Sequence, residues 1–238
     1  MGAQPQTVPF AGPVHSLCSK VGGSAGDVFV GSAGTGIKMF GSAGQTQDFT
    51  SPQHITASTH HYSRNLFATC GSVVHLWDHA RSAPTQTLSW GADTITSAKF
   101  NPSETSLLVS ASNDRTLILY DIRTSTPTHK QIMALKTNQM AWNPMEPLNF
   151  TTASEDHNTY TFDMRNLTRA LVVGKGHVAA VLDISYCPTG NEFVTGSYDK
   201  TIRVFKGREG TSREVYHTQR MQRYFRNLIK EPFALHIL

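Results

Sequence analysis

His177 and Asp199 are the residues in this 238-residue chain that most invite a chemical reading, because an imidazole held by a carboxylate can act as a general base. An Asp-x-Arg triplet occurs twice, as Asp121-Ile-Arg123 and Asp163-Met-Arg165. The planar guanidinium fork suits bidentate, charge-assisted bonds, either to a partner or to its own Asp. Trp77-Asp-His-Ala-Arg81 is one residue too long to match. From Arg203 to Lys230 eight basic residues face two acids, Glu209 and Glu214, with Tyr216, Tyr224 and Phe225 interleaved. Such a mixture suits phosphate contact and base stacking, and makes Arg213, Arg220, Arg223, Arg226 and Lys230 candidates for RNA contact. Arg220, Arg223 and Arg226 would share one side of a helix. The other expectation for this stretch is a solvated terminal helix.

Other chemistry is not expected. His60-His61 is the one adjacent pair among 11 histidines, and no Cys or acid stands at ligand spacing beside it. Cys18, Cys70 and Cys187 are scattered and odd in number, which fits a reducing compartment better than zinc or a disulfide framework. There is no nucleophile elbow, dinucleotide fingerprint or phosphate loop, so neither cofactor nor small-molecule substrate is expected.

The elements that hold these residues are repeats. Trp77, Tyr120, Phe162 and Phe205 follow one another at 43, 42 and 43 residues, and the first three precede Asp. Phe100-Asn-Pro, Trp142-Asn-Pro and Tyr186-Cys-Pro keep step at 42 and 44. Asp114, Asp156 and Asp199 each lie six residues before one of the aromatics. Within a unit, Thr116–Tyr120 and Thr201–Phe205 are β-branched and aromatic, polar turn residues precede them, and the prolines end another strand. A period near 42 with about four strands per unit predicts an all-β WD-repeat β-propeller with roughly five blades.

In such a blade the turn Asp is structural. His177, Ser197 and Asp199 are therefore read as one internal hydrogen-bond network, with Asp114 and Asp156 as its counterparts, in preference to a catalytic dyad. Gly71 stands where the earlier blade would carry this Asp, so that blade is expected to be less tightly pinned. Upstream, Val28–Ser32 and Gly36–Phe40 resemble the last strands of an eroded blade. Residues 1–50 are thus a degenerate blade or flexible segment, 51–210 the blades, and 211–238 a basic C-terminal segment.

Composition agrees. Only 16% of residues are charged, with a net charge of +4, and Gly 18 and Pro 11 supply turns. No run approaches the roughly 20 apolar residues of a membrane helix, and the N-terminus lacks a signal-peptide pattern.

From about residue 54 to 222 the chain resembles the Sof (suppressor of fibrillarin) WD-repeat proteins of the small-subunit processome. The resemblance rests on Phe67–Gly71, Ser89–Gly91 and Phe100–Pro102, and more specifically on Trp142–Glu146, Tyr160–Arg165 and Ser212–Thr218. It implies a nuclear, nucleolar scaffold of a small nucleolar ribonucleoprotein, needed for 18S rRNA maturation and contacting pre-ribosomal proteins and RNA. Animal members are also described as substrate receptors of cullin-four RING ubiquitin ligases. There the Asp-x-Arg motifs, Asp121 with Arg123 and Asp163 with Arg165, would dock the adaptor. The family's Lys/Arg-rich tail has no counterpart in this sequence, and similarity stops after Gln222.

Overall fold

The structure, a computed structural model, describes residues 9, 10, 12–20, 28–41, 46–90 and 93–218. These residues contain no helix, and twenty strands form five four-stranded antiparallel sheets, each built from consecutive strands. Blade 1 holds β1 (Ser16–Lys20), β2 (Val28–Ala33), β3 (Gly36–Gly41) and β4 (Thr46–Thr50). Blade 2 holds β5 (Ala57–His60), β6 (Leu66–Cys70), β7 (Val74–Asp78) and β8 (Gln86–Leu88). Blade 3 holds β9 (Ile95–Phe100), β10 (Leu107–Ser112), β11 (Thr116–Asp121) and β12 (Thr126–Ile132). Blade 4 holds β13 (Thr137–Trp142), β14 (Asn149–Ser154), β15 (Thr159–Asp163) and β16 (Val172–Gly174). Blade 5 holds β17 (Val181–Tyr186), β18 (Glu192–Ser197), β19 (Thr201–Lys206) and β20 (Ser212–His217). The chain is thus an all-β WD-repeat propeller array. β20 pairs with β19 from Thr201↔His217 to Phe205↔Ser212, so the last sheet runs past residue 210, where composition alone set its end.

Strand alternation gives every blade two unlike faces. One face carries large rings, and the other carries small aliphatic side chains from the second and third strands. Val109, Ala111, Leu117 and Leu119 of blade 3 pack on Met140, Trp142, Phe150 and Phe162 of blade 4. Ala68, Cys70, Val74 and Leu76 of blade 2 likewise meet Phe100, Leu108 and Tyr120 of blade 3. Small side chains thus stack on large ones at these two junctions. The blade 4–5 junction differs. Thr151, Thr159 and Thr161 take the small-residue places, and the Tyr186 hydroxyl bonds the Thr151 hydroxyl at 2.6 Å.

Two hydrogen-bonded staples recur at each junction from blade 2 onward. The hydroxyls of Thr56 and Thr96 and the amide of Asn138 donate to the carbonyls of Ile95, Thr137 and Val181, at 2.5, 2.9 and 2.8 Å. At the other end of the first strands, Asn101 and Asn143 accept two backbone N–H groups of their own turns and donate across to the carbonyls of Pro147 and Gly190. His61 does the same in blade 2. Its Nδ1 accepts from the N–H of Ser63 and Arg64, so Nε2 carries the proton and donates to the Thr105 carbonyl at 2.8 Å. The first strands pack in succession, β1 on β5, β5 on β9, β9 on β13 and β13 on β17. Around them lies a central cavity of about 370 Å³, bounded by Ser16, Thr56, Thr96, Asn138 and Leu182 among others.

The turns between second and third strands place Arg115, His157 and Lys200 at φ of 70°, 71° and 61°. A side chain with a Cβ is disfavoured there by roughly 1 kcal/mol or more, whereas glycine is not. Because His157 is exposed and its ring makes no bond that this turn uses, His157→Gly is expected to raise stability by about 0.5–1 kcal/mol. Urea titration checks this, and an unchanged or lower midpoint would refute it.

Candidate partner-docking rim

First and third strands of a blade run parallel, so the Asn-Pro turns and the Asp-x-Arg triplets project from the same rim. Asp121 and Asp163 end β11 and β15 in consecutive blades. In both triplets the carboxylate accepts the N–H of its own Arg at 2.9 Å and grips the same guanidinium. Arg123 Nη2 stands 3.0 Å and Arg165 Nη2 2.6 Å from the respective Oδ2. The Arg hydrogen bonds hold both carboxyls below the usual carboxylate range. The guanidiniums are 68% and 67% exposed although paired, while the acids are largely covered. The arrangement is a pair of preset, outward-facing forks whose charge is already matched locally. Asp78 caps the N–H of Ala80 instead and does not repeat the motif.

The His177 network lies at the opposite rim. His177 Nδ1 donates to Asp199 Oδ2 at 2.9 Å, and Nε2 accepts the Thr195 hydroxyl at 2.8 Å. Asp199 also receives the N–H of Val178 and of Thr201 and the Thr201 hydroxyl. Burial opposes ionisation of Asp199, but Thr201, His177 and those N–H groups together hold its carboxyl down to about 2. Burial lowers the His177 pKa, with Asp199 pulling the other way, so the ring is neutral near pH 7. Both side chains are almost fully covered, at 1% and 4% exposure, which removes them from any substrate. Ser197 enters the network through Asp199 and not through a hydrogen bond to His177. It bridges the N–H of Asp199 and the carbonyl of Ala179. Thr195 and Thr201, which complete the network, lie two residues either side of the Ser197–Asp199 turn; a periodic hydroxyl signal there was present in Thr69, Ser110 and Thr152.

Asp114 is the counterpart in blade 3 and binds the N–H and hydroxyl of Thr116, while Asp156 in blade 4 binds the N–H of Asn158 and the Tyr160 hydroxyl. In blade 2 the expectation of a loosely pinned turn fails. Gln53, arriving from the preceding loop, takes the place of the missing Asp. Its Oε1 accepts from the N–H of Ser72 and Val73 and from the Ser72 hydroxyl, and its Nε2 donates to the Val73 carbonyl at 2.7 Å.

His60 is held just as firmly. Its Nδ1 donates to the His61 carbonyl at 2.6 Å, and its Nε2 accepts from His79 Nε2 at 2.9 Å. Burial, helped by nearby His79 and Lys20, lowers its pKa to about 4 against the pull of that carbonyl. A proton on Nε2 would break the His79 bond, so the unfolded chain binds it more readily. Stability from this group is therefore complete above about pH 6.5 and is lost as pH falls toward 4. From His60 alone, stability is expected to drop by about 2 kcal/mol between pH 7 and pH 5. Urea midpoints at the two pH values measure it, and a slope unchanged in His60→Gln would sink this assignment. Among the described residues no group of three or more His, Cys, Asp or Glu could hold a metal. Cys18, Cys70 and Cys187 are buried and form no disulfide, and burial pushes the Cys70 thiol up to about 12.

Of the predicted RNA contacts, only Arg213 lies among the described residues. It pairs with Glu192 at 2.8 Å and Glu214 at 3.5 Å. Arg220, Arg223, Arg226 and Lys230 lie outside the described residues.

Comparison with known proteins places this geometry. The WD domain, G-beta repeat model matches residues 82–121 and 169–206, which include the third strands of blades 3 and 5. Over 165 residues, 69% of this chain, it is 55% identical to Protein SOF1 of Saccharomyces cerevisiae. Over that stretch the chain is similar to the Sof WD-repeat proteins. The chain is also 52% identical over 167 residues to DDB1- and CUL4-associated factor 13 of Danio rerio, and 57% identical over 128 residues to Protein sof1 of Schizosaccharomyces pombe. These matches cover 34%, 38% and 29% of the respective relatives, so the chain spans about a third of their length. None of these names is an enzyme's.

Proposed function

We propose that this chain is a non-enzymatic scaffold in small-subunit (18S) rRNA processing, acting in the nucleus and nucleolus within a small nucleolar ribonucleoprotein. The observation that carries the reading is 55% identity to Protein SOF1 across an array of rigid blades. Each blade offers its rims to a different neighbour, so pre-ribosomal proteins dock simultaneously at fixed separations. RNA contact falls to Arg213, Arg220, Arg223, Arg226 and Lys230. Gradient sedimentation of nuclear extract is the test. The chain is expected in large particles that RNase disperses, and migration as free protein with or without RNase would overturn the reading.

A second reading is favoured by the name of the Danio rerio relative together with the two exposed forks on one rim. Here the chain is a substrate receptor of a cullin-four RING ligase, docking the adaptor through Asp121, Arg123, Asp163 and Arg165. Exposed ion pairs contribute little to stability, so Arg123→Ala with Arg165→Ala leaves the fold standing. Adaptor co-purification lost in that folded double variant supports the second reading; co-purification unaffected by it rules the forks out.

A further inference from the structure

Arg123 and Arg165 each stand three residues beyond the aromatic near the end of a third strand, Tyr120 and Phe162. Blade 5 keeps that spacing, since Arg208 follows Phe205 by three, but Lys206 takes the place of the Asp and pairs with Glu209 at 3.0 Å. The turn after β19 therefore has no Asp of its own to hold Arg208, and blade 4 supplies the acid instead. Arg208 Nη2 donates to Glu146 Oε1 at 2.6 Å, and Glu146 ends the Asn143-Pro-Met-Glu turn of blade 4. Asn149 Nδ2 steadies that carboxylate by donating to Oε2 at 2.9 Å. The Arg208 side chain is 87% exposed, so a guanidinium held by an acid faces outward here as it does at Arg123 and Arg165.

The pairing selects the kind of partner. Arg123, Arg165, Lys206 and Arg208 each have an acid against them, so the four pairs carry no net charge to draw a phosphate backbone. A guanidinium matched in this way also loses less on leaving water than a bare one. In Arg123 and Arg165 the Asp engages Nε and Nη2, and the planar fork leaves the Nη1 N–H groups outside the pair. Donors of that kind suit neutral acceptors, above all the main-chain carbonyl oxygens of a protein. Beside Glu146, Met145 is 67% exposed. A hollow of about 260 Å³ at the Glu146–Arg208 pair, lined by Asn143, Gly190 and Gly207 among others, gives a partner side chain a place to enter.

We propose that Glu146 and Arg208 form a third fork, assembled across two blades, and that the rim of blades 3 to 5 is one docking surface. Its partner is a protein that offers main-chain carbonyl oxygens to Arg123, Arg165 and Arg208 and an apolar side chain to Met145. The inference rests on the second reading above, in which that protein is the adaptor of a cullin-four RING ligase. It widens the contact from two blades to three.

Biolayer interferometry of the full 238-residue chain against the purified adaptor tests this, with thermal unfolding as the check on each variant. Arg208→Ala and Met145→Asp are each expected to weaken binding by about tenfold with the fold retained. Glu146→Gln, which frees the guanidinium without removing it, is expected to weaken binding by roughly threefold. Adding Lys206→Asp to Glu146→Gln gives Arg208 an Asp of its own and is expected to restore wild-type binding. A merely structural tie between blades 4 and 5 would not be restored by that change, so a double variant as weak as Glu146→Gln overturns the fork. Binding lost in Arg123→Ala with Arg165→Ala but unchanged in folded Arg208→Ala overturns the third fork and leaves the second reading standing. A wild-type chain that does not bind the adaptor overturns both. Binding of single-stranded RNA that falls in Arg208→Ala while adaptor binding does not would assign this rim to nucleic acid and overturn the proposal.

Discussion

Replacing Gly71 by Asp, the residue found six positions before the third-strand aromatic in blades 3 to 5, is expected to destabilise the fold by about 3 kcal/mol or more. A Cβ at position 71 would stand 2.4 Å from the His54 carbonyl oxygen and 2.8 Å from Gln53 Cδ. The nearer obstacle is backbone, so relief requires moving the loop that also carries Ile55 into the core of blades 1 and 2. The incoming carboxylate would in addition displace Gln53, whose amide already satisfies the turn, and leave the Ser72 and Val73 N–H groups to be re-paired. Two ways of closing one turn exclude each other. Gln53→Gly therefore does not rescue Gly71→Asp, because the His54 carbonyl stays where it is. Urea denaturation of the single and double variants decides the matter. A Gly71→Asp protein as stable as wild type would mean the loop yields freely.

Asp199→Ala is the second substitution with a large expected effect, a loss of about 3–4 kcal/mol. It strands the Nδ1–H of His177, the N–H groups of Val178 and Thr201 and the Thr201 hydroxyl around a space too enclosed for easy rehydration. The same network has a pH signature. The folded carboxyl titrates at about 2, below its ordinary value near 3.8, so its contribution is complete above pH 4 and is lost as pH falls toward 2. That loss amounts to about 2 kcal/mol and should be absent from the acid limb of Asp199→Ala. His177→Ala should share most of the penalty, and near-additive losses in the double variant would show that the two residues do not act as one unit.

Much of this was legible before any coordinates. The 42–43-residue spacing of Trp77, Tyr120, Phe162 and Phe205 marks the third strands, and Asp114, Asp156 and Asp199 mark the turns that precede them. What a period cannot display is a partner that enters out of step. Gln53 belongs to a loop, has no counterpart 42 residues on, and acquires its role only because the chain folds back over Gly71. Thr195 was hidden for another reason. Ser197 and Thr195 both follow the repeat and leave β18 on the same face, so the period alone does not tell which of them meets His177. Asn101 and Asn143 were read as strand ends because Pro follows them, while their second task, the bond to the next blade, depends on a carbonyl more than 40 residues away. The exposed Asp-x-Arg forks were visible as motifs, and the structure adds that each Arg is already engaged by its own Asp.

The staples all point the same way along the chain, and this bears on how the protein is made. Thr56, Thr96 and Asn138, with His61, Asn101 and Asn143, reach toward a blade that is synthesised later. A blade leaving the ribosome therefore has donors without acceptors and a small-residue face without its cover until one further repeat has emerged. At about 5–20 residues per second that interval is roughly 2–8 s for each unit. The nascent chain thus passes through a succession of brief sticky stages, one per repeat, each ended by the arrival of the blade behind it.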